Sequence, residues 1–136
     1  MPFRAGQTYL YPLDDDARTE HLWIIATEPD ADGRFATASL TSLKGAKDQT
    51  VTLSKNEHPF IKWDSCILYR LAEIATIETP QGNLDGGSAR MQQSVRADIL
   101  ELILDGFIAS DFTKNRVRVF VREYRRAVRE RRDHES

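Results

Sequence analysis

At 136 residues and a formal net charge of −2, the chain has the size of one domain, or of one domain with a short appendage. It is long enough to bury a core without disulfides or a structural metal. A single cysteine, Cys66, excludes an intramolecular disulfide and a cysteine-based zinc site, and its neighbours Ile67 and Leu68 make it a buried structural thiol rather than a nucleophile. No apolar run approaches the roughly 20 residues that cross a bilayer, and MPFRAGQTYL lacks the apolar stretch of a secretory signal, so a cytoplasmic protein away from membranes is expected.

The first half reads as strands. In GQTYLYPL (6–13), Tyr9 and Tyr11 alternate with Leu10 before Pro12 and an acidic cluster break the pattern. HLWIIAT (21–27) is apolar almost throughout, as in a strand covered on both faces. EPDADGR is dense in turn residues, with Asp32-Gly33 as a hairpin signal. RFATASLT (34–41) follows as a third strand, SLKGAKD as a loop, and TVTLS (50–54) alternates around Val51 and Leu53. SCILYRLAEIATIE (65–78) is the longest strand candidate, with apolar residues in both phases, and is long enough to bend or to hold a bulge. Several short strands with tight turns and no helix between them point to a small barrel or sandwich over residues 1–78.

TPQGNLDGGS marks a turn-rich linker at 79–87. Beyond it, 88–136 reads as a helical extension. Val95, Ile99, Leu102 and Ile103 follow three- and four-residue steps in a helix expected over 88–107. In 115–132, Val117, Phe120, Val121, Tyr124, Ala127 and Val128 form one apolar stripe among arginines. Residues 114–132 hold nine Lys or Arg against Glu123 and Glu130, a local +7, which leaves the remainder near −9. An acidic body with a basic tail invites an anionic partner. Arg118, Arg122, Arg125 and Arg129 are the candidate phosphate contacts on this helix, unless they form only a solvated face.

Motifs for familiar chemistry are missing. No two of His21, His58 and His134 lie three or four residues apart, and neither a phosphate-binding glycine loop nor a GxSxG is present, so no metal or cofactor is called for. Metal-free ribonuclease chemistry asks for less. It needs a base for the ribose 2′-hydroxyl, an acid for the leaving 5′-oxygen and a cation for the phosphorane.

The order of segments AGQTYLYPL, HLWIIAT, SLTSLK and WDSCILYRLAEIATIE resembles the MazF/PemK (Kid-like) toxin family over about residues 4–78. The resemblance implies an SH3-like barrel that is usually dimeric, cleaves single-stranded RNA without a metal and takes an antitoxin-like peptide segment in its groove. The expected fold is therefore mainly β, a small SH3-like β-barrel followed by two C-terminal α-helices. The family's Arg-Pro position is held by His21-Leu22, which makes His21 a candidate base or phosphate contact. Its Thr-Ser pair maps onto Thr41-Ser42, which would hold the scissile phosphate, and its Asp-Ser onto Asp64-Ser65. Lys44 and Lys47 are candidate phosphate contacts beside them.

Each of these residues also has a plainer account. His21 can simply open a strand, Thr41-Ser42 can satisfy local backbone at a strand end, and the lysines can be solvated. In NEHPFIKWDS, Pro59 holds His58 out of helical geometry, which makes the stretch a lead-in turn with Phe60, Ile61 and Trp63 as a packed lid. His58, Phe60, Trp63 and Asp64 are thus expected as a groove wall first and as chemistry second. The alternative for the whole chain is a non-catalytic small-barrel interaction protein of a mobile element or regulatory system. Such a protein would bind a protein or a nucleic acid through its groove or its basic C-terminal helix.

Overall fold

The computed structural model describes residues 3–12, 20–54, 58, 61, 64–87 and 89–135. Its strands are β1 (Thr8–Pro12), β2 (Glu20–Ile25), β3 (Arg34–Ser42), β4 (Thr52–Leu53), β5 (Ser65–Ile67), β6 (Glu73–Thr76) and β7 (Arg90–Gln92). Its helices are α1 (Glu78–Asp85), α2 (Ala97–Ala109) and α3 (Asn115–Glu135). All seven strands pair antiparallel in the order β4-β5-β3-β2-β1-β7, with β6 also on β3. The fold is the expected mainly-β, barrel-like one with two C-terminal helices. Among the described residues the sheet is open, because its end strands β4 and β7 do not pair.

The 65–78 candidate does bend, and the register shows how. Ser65–Ile67 pair with Ser42–Leu40, but Glu73–Thr76 pair with Thr37–Arg34. Tyr69–Leu71 form a 3-10 turn between the two ladders, and these three residues have no opposite number on β3. Leu68 donates its N–H to the Ser39 carbonyl at 2.8 Å, holding the start of the turn against β3. The insertion throws Tyr69 into the core while Arg70 stays exposed. One strand edge thus runs along β3 as β5, a kink and β6.

Both faces of the central strands are covered, as the apolar 21–27 run requires. Leu10, Leu22, Ile24, Ala36, Ala38 and Leu40 pack with residues of α2 and α3 in one core. Tyr9, Trp23, Ile25 and Phe35 pack on the other face with Phe3 and Ala89, and Leu84 of α1 lies against them. Burial pushes the Tyr9 hydroxyl up to about 12.

Two sequence expectations need correction. The segment 79–87 is largely helix α1, since Pro80 falls in the first turn, where its missing N–H costs nothing. The helix expected over 88–107 begins only at Ala97. Arg96 is extended, and residues 90–92 form β7 against β1. The C-terminal part therefore completes the sheet and shares its core, as Ile99, Ile103, Phe107, Val117 and Val121 do with the strands.

The contact between α2 and the sheet is close. Tyr69 donates its hydroxyl to the Ile103 carbonyl at 2.7 Å and meets Phe107 edge-on with ring centroids 5.1 Å apart. Gly106 lies beneath it, and a Cβ there would fall 2.0 Å from the Tyr69 hydroxyl and 2.5 Å from Val51 Cγ2. Only glycine fits this approach. No helix among the described residues is long and apolar enough to cross a membrane.

Candidate functional site

The far end of β3 carries the site. Thr41 and Ser42 close the strand, and β5 lies opposite, with Thr41 facing Cys66 and Ser42 facing Ser65. The Asp64 carbonyl accepts from the Leu43 N–H at 3.0 Å. The Thr-Ser and Asp-Ser pairs, 22 residues apart in sequence, are therefore cross-strand neighbours.

After β3 the chain turns tightly. The Ala46 N–H reaches the Leu43 carbonyl at 3.1 Å, with Gly45 in the left-handed region at φ 76°, a conformation that suits glycine. The next residue but one is held from below. The buried Asp48 carboxylate accepts from the Thr50 N–H at 3.1 Å, from Thr50 Oγ1 at 2.6 Å and from Ser110 Oγ at 2.8 Å. Its charge is thus spent on hydrogen bonds inside the protein.

These elements enclose a cavity of about 520 Å³ lined by Thr41, Ser42, Lys44, Lys47, Arg70 and Phe112, among others. Among the described residues no ion pair engages Lys44, Lys47 or Arg70, and all three are exposed. A shallower hollow beside it is lined by Ser42, Lys44 and Asp64. Four of the residues singled out in the sequence, Thr41, Ser42, Lys44 and Lys47, therefore meet at one place, with Asp64 at its edge. Cys66 also lines the cavity, but burial first and the Asp48 carboxylate second push its thiol pKa up, which suits a structural thiol rather than a nucleophile.

His21 comes from the neighbouring strand. Strand alternation puts His21 on the sheet face of Trp23, and Thr41 on the face of Ser39, which pairs with Trp23. The two residues thus share a face. His21 Nδ1 lies 3.1 Å from the Leu40 carbonyl, one residue from Thr41. A carbonyl can only accept, so Nδ1 carries the proton and Nε2 is left as the basic nitrogen of the neutral ring.

His58 has a different place. Its Nε2 donates to the Gln93 carbonyl, which also accepts from Thr8 Oγ1 at 2.7 Å, and the His58 carbonyl accepts from the Ile61 N–H at 3.0 Å. The residue is 4 % exposed. It ties the chain beyond β4 to the residue that follows β7 and is not among the residues lining the cavity. Phe60 and Trp63 lie outside the described residues.

The four arginines chosen on α3 divide into two kinds. Arg118 donates to the carbonyls of Ile108 at 3.2 Å, Ser110 at 2.7 Å and Thr113 at 3.2 Å, which closes the turn between α2 and α3. Arg125 pairs with Glu101 at 3.0 Å and with Asp105. Arg122 and Arg129 remain exposed. A second cavity of about 710 Å³ lies between α3 and the β2–β3 turn. Its charges alternate, with Glu28, Asp30 and Glu123 against Arg34, Arg116 and Arg131, so it has no preference for an anion.

Sequence reading missed Arg70 and Phe112. Arg70 is a single charge inside an apolar run, and only the three-residue insertion against β3 turns it toward Thr41. Phe112 belongs to the turn between two helices and carried no motif. Among the described residues, no three His, Cys, Asp or Glu side chains converge as a group able to hold a metal. No protein family, curated protein or solved structure matches the chain.

Proposed function

We propose that this chain is a MazF/PemK-like, toxin-type protein that binds single-stranded RNA at the Thr41–Ser42 cavity and cleaves it without a metal. The observation that carries the reading is the meeting of Thr41 and Ser42 with three exposed cations, Lys44, Lys47 and Arg70, around one cavity. A phosphodiester fits that set, because hydroxyls donate to its oxygens while the cations offset its charge.

In this mechanism His21 Nε2 takes the proton of a ribose 2′-hydroxyl. The freed 2′-oxygen attacks the adjoining phosphorus, and the bond to the 5′-oxygen breaks as that oxygen takes a proton from solvent. Thr41 and Ser42 hold the phosphate, and Lys44, Lys47 and Arg70 stabilise the added charge of the phosphorane. Arg122 and Arg129 supplement affinity along the strand. A second copy of the chain and an antitoxin-like peptide segment, rich in carboxylates, are the protein partners in this reading, and the cytoplasm is the compartment where they would meet RNA.

The test is incubation of purified protein with a long single-stranded RNA in the presence of EDTA. Fragments ending in a 2′,3′-cyclic phosphate, lost on His21→Ala and on Thr41→Ala, are expected. Intact RNA at every salt concentration would remove the nuclease reading. Salt-dependent binding of that intact RNA would then favour the non-catalytic module, a possibility with its own support in the acidic barrel and the absent Arg-Pro.

A further inference from the structure

Among the described residues, Phe112 is the one large apolar side chain of the cavity wall that stands exposed, at 42 %. An exposed aromatic ring is ordinary on a mobile loop, but this one sits on a fixed turn. Its N–H donates to Ser110 Oγ at 3.1 Å, and that hydroxyl donates to the buried Asp48 carboxylate at 2.8 Å. Arg118 clamps the same turn through the Ile108, Ser110 and Thr113 carbonyls. Thr113, the next residue, is buried. Asp48 meanwhile anchors the loop that bears Lys44 and Lys47. One buried carboxylate therefore fixes the spacing between the aromatic ring and two of the cations.

Resting on the RNA reading above, we propose that Phe112 is a stacking platform for an unpaired base, placed beside a phosphate track formed by Lys44, Lys47 and Arg70. The occupant follows from charge and shape together. The wall also holds one carboxylate, Asp48, but Thr50 and Ser110 occupy it, so three cations without an ion pair among the described residues select a polyanion. A flat exposed ring held among them adds affinity only for a ligand that also has a flat face. A single-stranded nucleic acid carries both at each nucleotide, whereas a duplex hides its base faces within its own stack. The C-terminal helical part thereby contributes directly to the groove of the barrel, and the α2–α3 turn sets how far from the Thr41–Ser42 phosphate site a base is gripped.

The experiment uses a fluorescein-labelled, 2′-O-methyl single strand of twelve nucleotides, which binds without being cut, and follows anisotropy with the full chain. Phe112→Ala is expected to weaken binding about tenfold, the loss typical of one stacked base, while Phe112→Trp retains it. A strand with abasic positions should bind the wild-type protein as weakly as the intact strand binds Phe112→Ala, with no further loss when the two changes are combined. Circular dichroism of Phe112→Ala should match wild type, since the ring is exposed. Wild-type affinity in Phe112→Ala, alongside weakened binding in Arg70→Ala, would overturn the stacking role and leave the RNA site standing. Equal binding of a poly-glutamate peptide would overturn it too, by showing that charge alone is recognised. Failure of every strand to bind the wild-type protein would overturn the RNA reading itself.

Discussion

Two basic regions of this molecule invite comparison. Helix α3 carries eight of the nine Lys or Arg between 114 and 132, while among the described residues the cavity at the end of β3 has three cations on its wall. By number the helix is the obvious anion-binding surface. By setting the two differ. Lys114, Arg116, Arg122, Arg129 and Arg131 also make no ion pair among the described residues but are spread along an exposed, largely helical stretch, whereas the three cavity cations converge on one place. Arg118 and Arg125 are turned onto carbonyls and carboxylates that fix α3 to α2, Arg126 pairs with Glu123 and Glu130, and Arg34, which approaches the Phe120 ring of α3, pairs with Asp30 and Asp32. Lys44, Lys47 and Arg70 stand around two hydroxyls with the nearby Asp48 already occupied. Charges that hold a fold together and charges that wait for a ligand look alike in a sequence. They are told apart by what each one touches.

Substitutions can break this comparison from either side. On the packing side, Gly106→Ala should cost about 3 kcal/mol or more, because the new methyl group meets the Tyr69 hydroxyl and Val51 with nowhere to go; chemical denaturation checks this, and a loss under 1 kcal/mol would show that α2 can shift away from the sheet. On the cavity side, His21→Ala and Thr41→Ala should each lower RNA cleavage about a hundredfold or more with the melting temperature little changed. Arg118→Ala should destabilise by about 2 kcal/mol through three abandoned carbonyls, whereas Arg122→Ala should stay within about 0.5 kcal/mol. Equal effects in the same unfolding assay would erase the distinction drawn on α3.

The smallest expected effect concerns alkaline pH. Tyr9 ionises near 10.0 in the unfolded chain but only at about 12 in the fold. The unfolded state therefore releases its proton first, and stability present below pH 10 is lost as pH rises through 12, at up to about 1.4 kcal/mol per pH unit. Burial raises Tyr69 in the same direction. Stability measured between pH 9 and 11 should fall more gently in Tyr9→Phe than in wild type, and identical slopes would contradict the assignment.

Much of the fold was legible because strands announce themselves by periodicity. The almost wholly apolar 21–27 stretch implied cover on both faces, and two separate cores supply it. The 65–78 stretch was readable as one bent strand, but where it bends depends on a register that only β3 sets. Residues 89–96 were misread because Val95 extends the apolar spacing of α2 backwards. Pairing with β1 outweighs that local preference. Thr41, Ser42, Lys44 and Lys47 were found through a short contiguous motif. Arg70 and Phe112 reach the same cavity from a kink and an interhelical turn, and no spacing rule links them to it. His58 looked like chemistry beside Asp64, yet its ring donates to the carbonyl of Gln93, a partner 35 residues away.

The most direct test of the claim that the cavity, and not the helix, is the nucleic-acid face is the salt dependence of single-stranded RNA binding. Two variants suffice, one with Lys44, Lys47 and Arg70 all changed to alanine and one with Arg122 and Arg129 changed. The cavity variant should reduce the slope of log affinity against log salt by about 2 to 3, close to one for each lost phosphate contact, and should abolish cleavage. The helix variant should lower the slope by less than about 1 and continue to cut. A wild-type slope in the cavity variant, with the loss appearing in the helix variant, would contradict the account.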